Sequence, residues 1–432
     1  MIDRKTPPIA NAPKNVAIPQ AECHILTNGV KVYVVNKGEV EVCRIDLLFD
    51  AGVKFQTKHL VANGTLYLMP EGTKNFSASQ IADHLDFHGS YINRATYNDF
   101  SRLTVYSLNR YFSETLKMVE EVVKQPIYPN HEVDIWRTTG KQELSVQLGK
   151  TNALAQRTLL TSLFGANHPY GKFPVPTSYD NIGSSDLKEF HAANYGSASC
   201  TIFLSGNVTD NHLSLVEKHF GSATWGEKSK GIILPQVELN RNESVVFTQK
   251  ADAVQSSLRI GRLLFPRTHP DFPEMVVLTT ILGGYFGSRL MKNIREDKGF
   301  TYGIHASILP FTDAGVFQIS TDVGANHTQD AINEILFEIK RIQSEPVEQL
   351  ELDLVRGSLM GQFLRSFNGQ FSISESFIWL LYFNNLDYSF YSRQINAIQT
   401  ISPTRIMELA NKWLKVDDIT ISVAGSVNPN SI

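Results

Sequence analysis

Ile281-Leu-Gly-Gly-Tyr-Phe-Gly-Ser-Arg-Leu-Met-Lys-Asn-Ile-Arg-Glu-Asp-Lys-Gly-Phe-Thr-Tyr302 is the most informative stretch of the 432-residue chain. It reads as a Gly-rich entry, a helix through Glu296, a Gly299 stop and a strand that starts near Tyr302. That spacing puts Arg295 in the last helical turn and Tyr302 at the head of the strand, where both can face one crevice beyond the sheet. A guanidinium and a phenol are donors suited to a peptide carbonyl, or to the oxyanion formed when it is attacked. A second reading stays open at this point: Arg295 complements the helix C-terminus and Tyr302 packs in a half-buried core. Gly283, Gly284 and Gly287 do not make a phosphate loop, because no Gly-Lys-Ser/Thr follows them.

Working outward, Ser257–Leu264 reads as a strand before a helical region over Met275–Glu296. Tyr302–Ser307 and Val316–Asp322 read as a strand pair, followed by an amphipathic helix over Asp330–Ile342. The same order occurs earlier in the chain. Cys23–Asn36 is strand-like with a hairpin turn at Asn28-Gly29, and Val42–Phe49 is a second strand. A helical region follows Thr57, and Ser77 or Ser79 can cap a helix carrying Ile81, Leu85 and His88 on one face. Tyr91–Leu108 is a strand pair, and residues 111–125 form an amphipathic helix with Phe112, Leu116, Val119 and Val123 on one stripe, stopped by Pro126 and Pro129. Such repetition dictates architecture. The expected fold is α+β, with two homologous halves, each a mostly antiparallel sheet packed against helices. The expected organisation is an extended arm over 1–20, an N-terminal half over 21–221, a polar linker over 222–239 and a C-terminal half over 240–432.

Composition bounds the partners. A hydrophobic fraction of 42% with 19% charged residues is that of a globular protein, and a net charge of −3 offers no general attraction for nucleic acid or an anionic membrane. No run reaches the roughly 18 apolar residues of a membrane span. The N-terminus has no apolar stretch after its first charges, so the expected location is cytoplasmic, or periplasmic if a signal peptide was removed. Of the three cysteines, Cys43 lies in an apolar strand and reads as a small buried hydrophobe.

Leu282-Gly-Gly, Ser288-Arg-Leu and Arg295-Glu-Asp-Lys-Gly-Phe-Thr-Tyr302 together resemble the later half of the pitrilysin-like zinc peptidases, the inverzincins that include the mitochondrial processing peptidase. The resemblance runs from Asn28-Gly29 to the C-terminus. It implies that Arg295 and Tyr302 hold the substrate backbone opposite a zinc ion. The family's zinc motif, His-x-x-Glu-His, places two imidazoles on one helical face with a Glu that activates water. Aligning Glu71-Gly72-Thr73 on the family's Gly-Thr puts Asn63-Gly-Thr-Leu-Tyr67 on that motif. Asn63 and Tyr67 then stand at the ligand positions, Leu66 at the general-base position, and Glu143 at about the third ligand. No zinc is expected in this chain. His84 and His88 are spaced i, i+4 with His59 upstream, but no Glu accompanies them, and they read as solvated or capping histidines. Gly89-Ser-Tyr-Ile-Asn93-Arg-Ala-Thr96 partly matches the family's substrate edge strand, with Arg94 where the family has Ala; Asn93 reads either as an edge-strand contact or as a turn residue.

By this resemblance the chain is expected to be a catalytically inactive subunit of a heterodimeric zinc metallopeptidase. The zinc would be carried by a homologous partner of similar length, and the substrate would be an extended peptide. The competing expectation is a homodimeric peptide-binding or scaffold protein without peptidase activity.

Overall fold

The computed structural model describes residues 16–227, 234 and 244–429. Six strands form the first sheet: β1 (Glu22–Ile25), β2 (Lys31–Asn36), β3 (Val42–Phe49), β4 (Tyr91–Thr96), β5 (Ser101–Leu108) and β6 (Cys200–Gly206). Their order across the sheet is β1-β2-β6-β3-β5-β4. The second sheet holds β7 (Val245–Gln249), β8 (Gln255–Leu264), β9 (Ile304–Pro310), β10 (Gly315–Gly324) and β11 (Thr420–Gly425), in the order β7-β11-β8-β10-β9. With β1 set aside the two orders coincide. β2 pairs with β6 in parallel, as β7 does with β11, and the remaining pairs are antiparallel. The fold is α+β, in two homologous halves.

Local chemistry explains the elements. Gly29 takes φ +91 at the turn between β1 and β2, a conformation that costs glycine little. Ser77 caps the helix Ala78–Phe87 through a reciprocal pair of hydrogen bonds with Gln80. The helices Phe112–Lys124 and Thr328–Ser344 each follow a strand pair and bury one apolar stripe, including Leu116 and Val119 in the first and Ile335 and Ile339 in the second. Strand alternation sends Ile45 and Leu47 to one side of β3 and Asp46 and Leu48 to the other.

That other side is covered by the opposite half. The helix Gln370–Asn384 lies on the first sheet, where Tyr382 stacks on Phe100 with ring centres 3.6 Å apart and Glu375 pairs with Arg102 at 2.8 Å. Behind this contact Asp46, fully buried, sits between Arg44 at 2.8 Å and Arg102 at 2.9 Å. The exchange is reciprocal, because the helix Thr151–Phe164 lies on the second sheet. There Gln156 and Gln318 trade amide hydrogen bonds at 2.8 Å, and Ser422 Oγ donates to the Ala155 carbonyl at 2.9 Å. Neither half therefore completes its own core.

Two expectations need correction. The helical region Met275–Glu296 is broken: Phe272–Thr279 passes into a wide turn at Thr280–Gly284, Tyr285 is extended, and helical structure resumes at Met291–Asp297. Gly283 departs from helical geometry, and a Cβ there would lie 2.7 Å from Ala306, so the break lets this segment press against β9. The strand expected from Tyr302 begins only at Ile304, because Thr301 Oγ1 accepts the Gly303 N–H at 3.1 Å and holds a turn ahead of it. Residues 1–15 of the expected arm and most of the expected linker, 228–233 and 235–239, lie outside the described residues. No helix among the described residues is long and apolar enough to cross a membrane.

Candidate functional site

In the second half the long motif divides into a part that builds structure and a part that is left open. Arg289 is a structural group: its Nε and Nη2 grip Glu351 at 2.9 Å each, and its neighbours Ser288 and Leu290 are buried. Arg295, half-buried, has no ion pair among the described residues; its guanidinium lies 4.7 Å from the ring centre of Phe286, itself largely exposed. Tyr302 is 94% exposed. The turn between them is tied down on both sides. Gly299 takes φ +67, and the Phe300 N–H donates to the Ile294 carbonyl at 3.0 Å. Thr301 Oγ1 donates to the Asp322 carbonyl at 2.7 Å, and Thr321 Oγ1 lies 3.0 Å from it. The helical segment Met291–Asp297, the loop before it and the tied-down turn after it thus carry a guanidinium, an apolar ring and a phenol, which is the mixture an extended peptide backbone and its side chains would use. Phe286, Thr301 and Thr321 were not singled out from sequence. A large apolar residue between Gly284 and Gly287 was the available signal for Phe286.

In the first half the corresponding surface is closed by its own side chains. The helix Val61–Leu68 lies against Trp136, whose ring a Cβ on Gly64 would meet at 2.7 Å. It turns Asn63 and Tyr67 outward and buries Leu66, so the residue expected at the general-base position points into the core. Arg94 reaches over from β4. Its guanidinium lies 4.4 Å from the ring centre of Tyr67, donates to the Tyr67 carbonyl and pairs with Glu71 at 3.0 Å. Glu143 is exposed on the helix Asn130–Leu148.

A zinc ion, which the fold family implies here, does not fit these residues. An amide, a neutral phenol and one carboxylate replace two imidazoles and a carboxylate, and the Arg94 charge repels a dication. Among the described residues no group of three His, Cys, Asp or Glu side chains is arranged to hold a metal ion. His84 and His88 have nitrogens engaged with backbone carbonyls, His84 Nε2 with Glu114 at 3.1 Å and His88 Nδ1 with His84 at 2.7 Å. Asn93 is exposed on β4, opposite Thr104 of β5, and β4 carries no strand on its outer edge among the described residues.

Fold and surface together define a peptidase-like chain of two α+β halves in which the helix Val61–Leu68 presents Asn63 and Tyr67. Residues 181–359 match the family described as Peptidase M16 inactive domain. The solved peptidase M16 inactive domain from Pseudomonas fluorescens is similar in fold, with a TM-score of 0.85 and 24% identity over 94% of this chain and 98% of that one. The uncharacterized zinc protease YmxG of Bacillus subtilis is 24% identical over 343 residues, 77% of this chain and 82% of the relative. The non-peptidase homolog YmxG of Helicobacter pylori is 24% identical over 397 residues, 88% of each. The chain is thus similar to the M16, or pitrilysin-like, family, by the family match over residues 181–359 and by its fold.

Proposed function

We propose that this chain is the non-catalytic subunit of a heterodimeric zinc metallopeptidase. In this reading a homologous partner of similar length carries the zinc, which supplies the Lewis acid and the activated water. The present chain contributes binding and electrostatics. Arg295 and Tyr302 hold an extended peptide, donate hydrogen bonds to the carbonyl under attack, and stabilise the oxyanion as it forms. Phe286 offers an apolar contact beside them, and Asn93, on the free edge of β4, is placed to meet the extended chain.

The observation that carries the reading is the contrast in partners. Arg295, in the last helical turn, and Tyr302, on the tied-down turn after it, pair with no carboxylate among the described residues, whereas Arg94 is consumed by Tyr67 and Glu71. A donor that its own chain leaves free on a rigid support is available to a ligand.

A second reading, a homodimeric peptide-binding or scaffold protein without peptidase activity, is favoured by the name of the Helicobacter pylori relative, a non-peptidase homolog. Purification of the tagged chain from its native host separates the two. The expected result is a co-purifying chain of similar size that bears His-x-x-Glu-His and contains zinc. A homodimer free of such a chain supports the scaffold reading instead.

A further inference from the structure

β4 closes one side of the first sheet, and its pairing with β5 decides which of its groups face outward. The register sets Tyr91 against Tyr106, Asn93 against Thr104 and Ala95 against Arg102. Just beyond, the Tyr97 N–H donates to the carbonyl of Phe100 opposite it at 2.8 Å. Hydrogen-bonded pairs alternate along an antiparallel ladder. Tyr91, Asn93 and Ala95 therefore turn their N–H and C=O groups to β5, and Ile92, Arg94 and Thr96 turn theirs to the open edge. Among the described residues no main-chain partner meets those outward groups.

The two faces of the edge differ. Arg94 turns to Tyr67 of the helix Val61–Leu68, whereas Tyr91 lies on the other face with Tyr106, toward the helix Gln370–Asn384. The Tyr91 ring stacks on Tyr106 with ring centres 4.8 Å apart and planes inclined by 15°. Tyr106 in turn meets Phe371 edge-on at 5.5 Å, and the buried Arg44 guanidinium lies 5.9 Å from the Tyr106 ring centre and 5.4 Å from that of Phe371. Neighbouring strands lie about 4.7–4.9 Å apart, so this ring spacing is the strand spacing. The stack runs across the sheet, and its next ring belongs on a next strand. Tyr91 ends the stack and is 52% exposed.

We propose that the open face of Tyr91 is a subsite for an aromatic side chain, carried by an extended peptide that adds to β4 as an antiparallel strand. The peptide residue opposite Tyr91 falls in a non-hydrogen-bonded pair, the closer of the two kinds, with Cα atoms about 4.5 Å apart. Its ring then lies on the Tyr91 ring. An aromatic pair contributes beyond the area it buries, so an aromatic side chain is preferred to an aliphatic one of similar size. The outward N–H and C=O groups accept any extended chain, and Tyr91 supplies the choice. Two copies of β4 pairing about its central residues oppose either Arg94 to Arg94 or Ala95 to Tyr91; the first is repulsive and the second adds no ring. The occupant is therefore a peptide. The inference rests on the reading of the β4 edge as a peptide contact, and not on the oxyanion role of Arg295 and Tyr302.

Calorimetric titration of the full chain with the acetylated, amidated heptapeptide Lys-Thr-Val-Phe-Val-Thr-Lys, and with Leu in place of Phe, tests this. Saturable binding of the Phe peptide is expected, weakened about two- to tenfold by Leu, the range of one aromatic pair. Methylating the amide nitrogens of both Val residues, which face β4 when Phe lies opposite Tyr91, should abolish binding. Tyr91→Val, checked by thermal melting, should still bind the Leu peptide and bring the two peptides to equal affinity, which a general loss of packing would not do. No saturable binding of the Phe peptide overturns the proposal. So do equal affinities on the wild-type chain, binding that survives methylation, and a Phe preference that survives Tyr91→Val. A dimer on sizing that Tyr91→Lys dissociates, with no peptide bound, would put a second copy on the edge and overturn it too. The wild-type comparison decides the matter even if Tyr91→Val does not fold. The titration needs no zinc-bearing partner, so it can fail while a turnover test of Arg295 and Tyr302 succeeds, and the reverse.

Discussion

Arg94, on β4 of the first half, is engaged by its own chain, with the Tyr67 ring beneath it and Glu71 beside it. Arg295, ahead of β9 in the second half, meets the face of Phe286 and has no ion pair among the described residues, and Tyr302, seven residues on, is 94% exposed. The two halves share one strand order, so the difference lies in the side chains set on a common frame. The first half spends its guanidinium on internal contacts, and the second leaves its guanidinium and phenol facing outward.

The contrast can be broken most severely by rebuilding the first face. Asn63→His with Tyr67→His restores two imidazoles at i, i+4, and Arg94→Ala removes the opposing charge, with Glu143 as third ligand. The expected outcome is a change from no stoichiometric zinc in the wild-type chain to about one per chain by elemental analysis. Zinc already bound by the wild-type chain, and lost on mutating Glu143, would contradict the account of that face.

A next test asks whether the halves depend on each other equally. Tyr382→Ala, at the helix laid on the first sheet, should cost about 3–5 kcal/mol, and Leu159→Ala, at the helix laid on the second, about 2–5 kcal/mol. Urea unfolding measures both. Two separate transitions, each sensitive to only one substitution, would show that the halves fold alone.

Acid should weaken the first half in particular. His191 is half-buried by its accessible surface, its Nε2–H donates to the Val123 carbonyl at 2.8 Å, and desolvation by the atoms packed around it pushes its pKa down to about 4. The unfolded chain takes up this proton near pH 6.5 and the folded chain does not, so stability is full above about 6.5, falls as pH drops, and levels off below about 4. The loss is of order 3 kcal/mol. Melting curves across this range should flatten in His191→Gln.

The smallest expected effect compares the two arginines directly. Arg94→Ala should cost about 1 kcal/mol through its cation–π contact and partly exposed ion pair, and Arg295→Ala should stay within about 0.5 kcal/mol of wild type. A larger cost at Arg295 than at Arg94 would reverse their assignment to binding and structure.

Elements with a local signal were legible in the sequence. The apolar run Val42–Phe49 matches β3 residue for residue, and Ser77 with Gln80 marks a helix start. β6 and β11 escaped because each pairs in parallel with the first strand of its repeat unit, and nothing local encodes that partner. The exchange of helices between halves escaped for a similar reason: Gln156 and Gln318 read as polar surface residues until each meets the other. The roles of Arg94 and Arg289 also depend on carboxylates distant from them in sequence, Glu71 and Glu351. The strand begins at Ile304, two residues after Tyr302, because the Thr301 hydroxyl that holds the preceding turn carries no pattern of its own.

The central claim is that the open pair of the second half serves the chemistry of a partner's zinc. Steady-state turnover of a quenched peptide by the reconstituted complex tests it, with assembly checked by sizing and zinc by elemental analysis. Arg295→Ala and Tyr302→Phe should each lower kcat by roughly 10²–10³, the effect of losing one oxyanion donor, with assembly and zinc content intact. Arg94→Ala should leave turnover near wild type. Near-normal turnover in both second-half variants would contradict the account.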